Sequence, residues 1–234
     1  MDMPRIIVIP PFHRSHPDGL VDVTLDFSPE RIMAYYHHGI FCWFQEDEAI
    51  FWFSPEERLV IFPDRIVESD SMRRLARQGK YTITLNQAFD EVVQACAEQR
   101  GPGRHSTWLN ENFRQNYRFL YEQGLCLSVE VWNPKGELAG GLFATKIGRV
   151  LSGESMFSRE SNTSKLALIW LCKNMPLDCI DCQAYSPHLE RMGGTLIPRS
   201  AYLNILSKQD KRFLTQWGVV CLLSQPGPSP HSLK

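Results

Sequence analysis

The 234-residue sequence predicts an α+β fold, mixed α/β in its larger part, and three observations point there. Residues 125–132 alternate, with Leu127, Val129 and Val131 on one face. The turn Asn133-Pro134-Lys135-Gly136 then leads into a second extended run at 138–146. Residues 86–97 instead space Phe89, Val92, Val93 and Cys96 as one buried helical face. An almost wholly apolar helix, predicted at 165–172, stands between an extended run at 149–152 and a short strand ending Cys179-Ile180-Asp181-Cys182-Gln183. A strand–helix–strand crossover of this length favours a parallel pair.

Composition narrows the class. Hydrophobic residues make up 43% of the chain, enough for a core and against general disorder. A net charge of -1 means that any nucleic-acid role must come from a local patch. No apolar run approaches a membrane span, and Met1-Asp2-Met3-Pro4-Arg5 lacks a signal-peptide pattern, so a cytoplasmic protein with no membrane partner is expected. Seven cysteines without framework spacing fit reduced thiols. Cys179 and Cys182 form a C-x-x-C, but a second pair with zinc spacing is missing, so core thiols and no metal are expected.

In chain order, residues 6–11 are an apolar run closed by two prolines, and 14–18 are loop-like. Ser28-Pro29-Glu30 starts a helix: a cap hydroxyl, a proline at the first position, an acid in the first turn. Gly39 stops it. Aromatic-rich runs at 40–44 and 50–53 predict a small N-terminal domain, 1–57, packed on a larger domain, 58–224. Within the latter, helices are expected at 70–78, 86–97 and 111–123, with Gly79 and Gly124 as stops and a loop at 101–106. Gly140-Gly141 lies near the start of the second meander strand. A short helix should follow Ser186, with Pro187 at its first position, then a helix at 201–206 and a strand at 219–223. Residues 225–234, rich in Pro and Ser, read as a loose tail.

The chain is organised around Gly153-Glu154-Ser155-Met156-Phe157-Ser158, between the strands and the apolar helix, whose caps are Asn162, Thr163 or Ser164. Parallel strands would bring Glu154 towards Asp181 and Gln183 at one end of the sheet, where clefts usually form. Arg73, Arg74, Arg77 and Lys80 form a basic cluster in and after one short helix.

Taken together the motifs resemble the leucyl/phenylalanyl-tRNA–protein transferases. The matching stretches are Ser28-Pro29-Glu30-Arg31, Gly39-Ile40-Phe41-Cys42-Trp43, Phe51-Trp52-Phe53-Ser54-Pro55, Ser71-Met72-Arg73-Arg74 and Thr107-Trp108. They continue with Ser128-Val129-Glu130-Val131-Trp132, Gly140-Gly141, residues 153–158, Ser164-Lys165, Ile180-Asp181-Cys182-Gln183 and His188. The sequence departs from the family pattern at Thr24-Leu25, Cys42, Leu127, Phe143-Ala144 and Ser186. The resemblance implies an acetyltransferase-like larger domain. It implies transfer of an aminoacyl group from tRNA to the N-terminal α-amine of a protein, as an N-end rule degradation tag, with Arg or Lys at the acceptor's N-terminus. The donor ester is already activated, so this reaction needs neither ATP nor a metal, and no cofactor is expected.

Site residues follow from the same resemblance. Asp181 and Gln183 match a proton relay to the attacking amine, and Glu154 matches the carboxylate at the bottom of the site. Trp43, Trp108, Tyr36 and Tyr117 match positions around the 3′-terminal adenosine, where a stacked base gains ~1–3 kcal/mol per aromatic partner. Leu142, Gly153, Met156, Leu171 and Ile180 match the wall of an aminoacyl pocket suited to Leu, Phe or Met. With a tRNA donor, Arg73, Arg74, Arg77 and Lys80 become phosphate contacts. Competing readings are an arginyl donor paired with Glu154 or an acidic acceptor, an acetyl-CoA-dependent N-acetyltransferase, and a non-catalytic tRNA-binding module. No glycine-rich pyrophosphate loop precedes Lys165, which counts against the second. Glu154, Asp181 and Gln183 together count against the third.

Overall fold

The structure, a computed structural model, describes residues 4–12, 15–98 and 109–224. β1 (Arg5–Ile9) pairs in parallel with the last strand, β12 (Val219–Leu223). β2 (Leu20–Thr24), β3 (Phe41–Glu46) and β4 (Ala49–Phe53) form a small antiparallel sheet with β4 in the middle. Between β2 and β3 runs α1 (Pro29–His37), started by Ser28, whose hydroxyl accepts from the Arg31 amide, and followed by Gly39 at φ 72°. α1 buries Ile32, Met33 and Tyr36.

A seven-stranded mixed sheet forms the larger part. Its strands are β5 (Glu57–Ile61), β6 (Thr82–Leu85), β7 (Cys126–Trp132), β8 (Leu138–Ile147), β9 (Val150–Ser158), β10 (Cys179–Asp181) and β11 (Thr195–Pro198). Their order is β11-β5-β10-β9-β8-β7-β6. The helices are α2 (Asp70–Arg77), α3 (Phe89–Glu98), α4 (Glu111–Glu122), α5 (Thr163–Asn174), α6 (Pro187–Glu190), α7 (Arg199–Ser207) and α8 (Arg212–Gln216). One sheet face carries Leu127, Val129 and Val131 against α5 and Met72 of α2. The other carries Phe143 against Val92, Phe113 and Tyr117 of α3 and α4, with α1 beyond. β9 and β10 are parallel and α5 is their crossover, as its apolar sequence requires. Gly140 lets the first turn of α5 close on β8, since a Cβ there would lie 2.1 Å from Thr163 Oγ1.

Several elements differ from the expectation. Residues 153–158 are not a connection to the helix but the second half of β9, paired with β8. The helix expected from 86 starts at Phe89. Asn86, at φ 59°, instead binds the Ser128 amide and carbonyl and so closes the β6–β7 ladder. The periodicity did not yield β2, β5, β6, β11 or α8. Arg58, expected at a domain boundary, sits inside β5 and is 2% exposed. The first described strand pairs with the last, so the N-terminal segment is tied to residues 219–223. Residues 225–234 lie outside the described residues. All seven cysteines are free thiols.

Candidate active site

β9 and β10 pair only through Val150–Ser152 and Cys179–Asp181. Beyond Ser152, β9 runs on beside β8, while β10 ends and the chain turns at Gln183, φ 65°. This divergence opens a cavity of about 340 Å³. Leu142, Gly153, Met156, Leu171 and Ile180 all line it, as do Glu154, Asp181 and Gln183. The sequence did not single out Leu168, Leu189 or the pocket role of His188, which also border it. Among the described residues, no group of three His, Cys, Asp or Glu side chains is placed to hold a metal ion.

A β-bulge aims Glu154. Ser155 pairs with Phe143 and Gly153 with Ala144, so Glu154 is the extra residue with no partner on β8. Such an insertion re-aims a side chain without ending the strand. The buried carboxylate accepts from the hydroxyls of Thr145 (2.6 Å), Tyr36 (2.9 Å) and Tyr117 (3.0 Å). Burial pushes its carboxyl up to about 7 against the pull of these three donors, and the charge of Asp181 pushes the same way.

Asp181 has different partners. Arg58 grips both of its oxygens, Nε to Oδ1 at 2.8 Å and Nη2 to Oδ2 at 2.7 Å. The Tyr202 hydroxyl and the Gln183 amide donate to the same carboxylate at 2.9 and 2.8 Å. The Arg58 guanidinium lies between the rings of Phe41 and Tyr202, 4.5 and 4.8 Å from their centroids, and donates to the Gly39 carbonyl. Charge pairing plus aromatic stacking is what lets such a cation be buried at all. The Gln183 side-chain amide donates to Ser152 Oγ at 3.3 Å. The sequence missed Arg58; its signal was an arginine opening the apolar run Leu59-Val60-Ile61.

The aromatic set divides. Trp43 is the extra residue of a second bulge, in β3, and is 43% exposed, its indole edge-to-face with Phe53 at 5.0 Å. Trp108 lies outside the described residues. Tyr36 and Tyr117, expected around a base, are both buried, and their hydroxyls donate to Glu154. Trp52 is core, donating to Thr24 Oγ1. The basic cluster lies on and after α2, away from the cavity wall. Arg73 pairs with Asp70 at 2.5 Å and Lys80 with Glu160 at 2.9 Å, whereas exposed Arg74 and Arg77 make no ion pair among the described residues.

The cavity is a largely apolar recess in a split mixed sheet, closed by a buried carboxyl that is raised to about 7. Comparison with known proteins gives the family. The leucyl/phenylalanyl-tRNA protein transferase family model matches residues 60–207, and the model of that family's N-terminal domain matches residues 25–56. The chain is 42% identical over 211 residues to the leucyl/phenylalanyl-tRNA–protein transferase of Syntrophus aciditrophicus (strain SB), covering 89% of this chain and 88% of that protein. It is 39% identical over 202 residues to that of Christiangramia forsetii, covering 84% and 95%. The chain belongs to this family and is an aminoacyl-tRNA–protein transferase. Among solved structures, a conserved protein of unknown function from Bacteroides thetaiotaomicron aligns at 10% identity with a TM-score of 0.41, over 58% of this chain and 53% of that one.

Proposed function

We propose that the enzyme moves Leu, Phe or Met from charged tRNA to the N-terminal α-amine of an acceptor protein beginning with Arg or Lys, as an N-end rule tag in the cytoplasm. The observation that carries this is the apolar cavity closed by Glu154. An unbranched-β donor side chain buried there gains ~1.5–3 kcal/mol. Met156, half-buried and adaptable, suits both aliphatic and aromatic donors. Trp43, with Trp108 as its expected partner, would stack the terminal adenine at the rim, and Arg74 and Arg77, with Arg73 and Lys80, would meet tRNA phosphates. Residues 1–57 and 58–224 then serve as the small and the catalytic domain, with β1 shared between them.

In this scheme the acceptor amine attacks the ester carbonyl, the bond to the ribose oxygen breaks, and the amine proton travels to that oxygen. Gln183 donates its side-chain N–H to Ser152 Oγ, which leaves its carbonyl oxygen to accept from the amine in this scheme. Asp181, held by Arg58, acts through Gln183 by fixing its backbone amide. Glu154 takes the proton and returns it, because a carboxyl near 7 can do both at neutral pH. Peptide with N-terminal Arg, offered Leu-, Phe-, Ile- and Arg-charged tRNAs in competition, tests the reading. Leu and Phe should outrun Ile by ~10–200-fold, the range a single misplaced methyl provides. Transfer of Arg faster than Leu would overturn the apolar donor.

A further inference from the structure

A second recess of about 400 Å³ adjoins the aminoacyl cavity, and His188 lines both. Its wall brings together Lys165 of α5, Arg191 at the end of α6, and Ser69 and Met72 at the start of α2. No acid lines it. The nearest acids along these elements are already engaged: Glu68 by Lys173, Asp70 by Arg73, and Glu190 by the Tyr185 hydroxyl. Several other surface cations, Arg5, Arg31, Arg118, Arg149 and Arg212 among them, are tied to carboxylates. Lys165 is half-buried and donates only to the neutral Asn162 amide oxygen, and Arg191 makes no ion pair among the described residues. The two cations converge on His188, whose imidazole is held below its usual range first by burial and then by Lys165 and Arg191.

We propose that this recess binds a backbone phosphate of the donor tRNA's 3′ strand, with Lys165 and Arg191 as its charged contacts and the Ser69 hydroxyl at its rim. The inference rests on the aminoacyl-tRNA reading. Of the two substrates in that reading, the donor carries a fixed negative charge on every nucleotide. An acceptor with a basic N-terminus would be repelled here. The recess shares a wall with the aminoacyl cavity, so a phosphate held there would fix the strand close to its esterified end. Exposed Arg74 and Arg77 on α2, which make no ion pair among the described residues, add positive charge away from the cavity.

The test compares two donors on the full-length enzyme: Leu-charged tRNA, and 3′-O-leucyl-adenosine, which has no phosphate. In Lys165→Gln/Arg191→Gln, KM for charged tRNA should rise about tenfold or more. The slope of log kcat/KM against log salt should become shallower by roughly one to two. Each single variant should show part of both effects, and Lys165→Arg/Arg191→Lys should restore most of the tRNA KM. Transfer from leucyl-adenosine should stay within about twofold of the parent; His188 is left intact because it also borders the aminoacyl cavity. An unchanged KM and salt slope for tRNA would overturn the site. So would an equal loss with both donors, which would locate the damage in the aminoacyl cavity. A rise confined to the acceptor peptide's KM would assign the recess to the acceptor and also overturn it. Failure of the parent enzyme to use charged tRNA is seen before any variant is made, and strikes the transferase reading itself.

Discussion

Asp181 and Glu154 face one cavity from two diverging strands, and what separates them is the company each keeps. Asp181 meets a full opposite charge, gripped at both oxygens by Arg58. Glu154 meets three neutral hydroxyls. Hydroxyl dipoles offset only part of the cost of burying a carboxylate, so its carboxyl climbs to about 7. The same functional group is thus held by a countercharge on one strand and by neutral donors on the other, and only in the proposed mechanism does the second carry a proton.

The strongest way to break this contrast is to remove the countercharge. Arg58→Met leaves Asp181 buried and unpaired and should destabilise the fold by about 3–5 kcal/mol in urea unfolding. Adding Asp181→Asn to the same chain should recover part of that loss. A single-variant loss under about 1 kcal/mol would mean that the pair does not anchor the site.

The next effect belongs to Glu154. Glu154→Gln should lower turnover by about 10²–10⁴-fold and remove the limb near pH 7 from the kcat/KM profile. Stability supplies an independent readout. A carboxyl raised from 4.5 to about 7 takes up a proton on folding between those values. Its contribution is therefore unpenalised below about 4.5, falls as pH rises to about 7, and is level above, a difference of about 3 kcal/mol. Urea midpoints across pH 4 to 8 should show that decline in the parent and lack it in the glutamine variant.

A smaller change sharpens the comparison. Tyr36→Phe deletes one donor to Glu154 and keeps the ring, costing about 1–2 kcal/mol when the carboxylate is ionised. The apparent pKa in the rate profile should then rise by about one unit. A profile that does not move would detach Tyr36 from the tuning of this carboxyl.

Much of this was legible in the sequence where local pattern fixes the answer. The apolar run of α5 between two short strands implied a parallel crossover, and the crossover placed Glu154, Asp181 and Gln183 around one opening. The Ser28-Pro29 start and Gly39 stop of α1 read correctly because capping is local. The bulges at Trp43 and Glu154 did not read, since a bulge shows only against the partner strand's register. In the sequence Arg58 reads only as the place where the aromatic-rich segment ends, because its carboxylate partner lies 123 positions later. Tyr36 and Tyr117 reach Glu154 through their hydroxyls, a contact that residue type alone does not reveal. β11 is a short edge strand ending in Pro198, and so gives little alternation to detect.

The parallel pairing of β1 with β12 has a consequence for how the protein is made. β1 leaves the ribosome before its partner, which is synthesised roughly 200 residues later. At about 5–20 residues per second, β1 waits roughly 10–40 s without its native neighbour. Ile6 and Val8, more than half exposed even in the finished fold, are bare throughout that interval. An unpaired apolar strand is a template for pairing with other chains. Nascent copies on neighbouring ribosomes would each carry this segment, making synthesis the stage at which this enzyme is most exposed to misassembly.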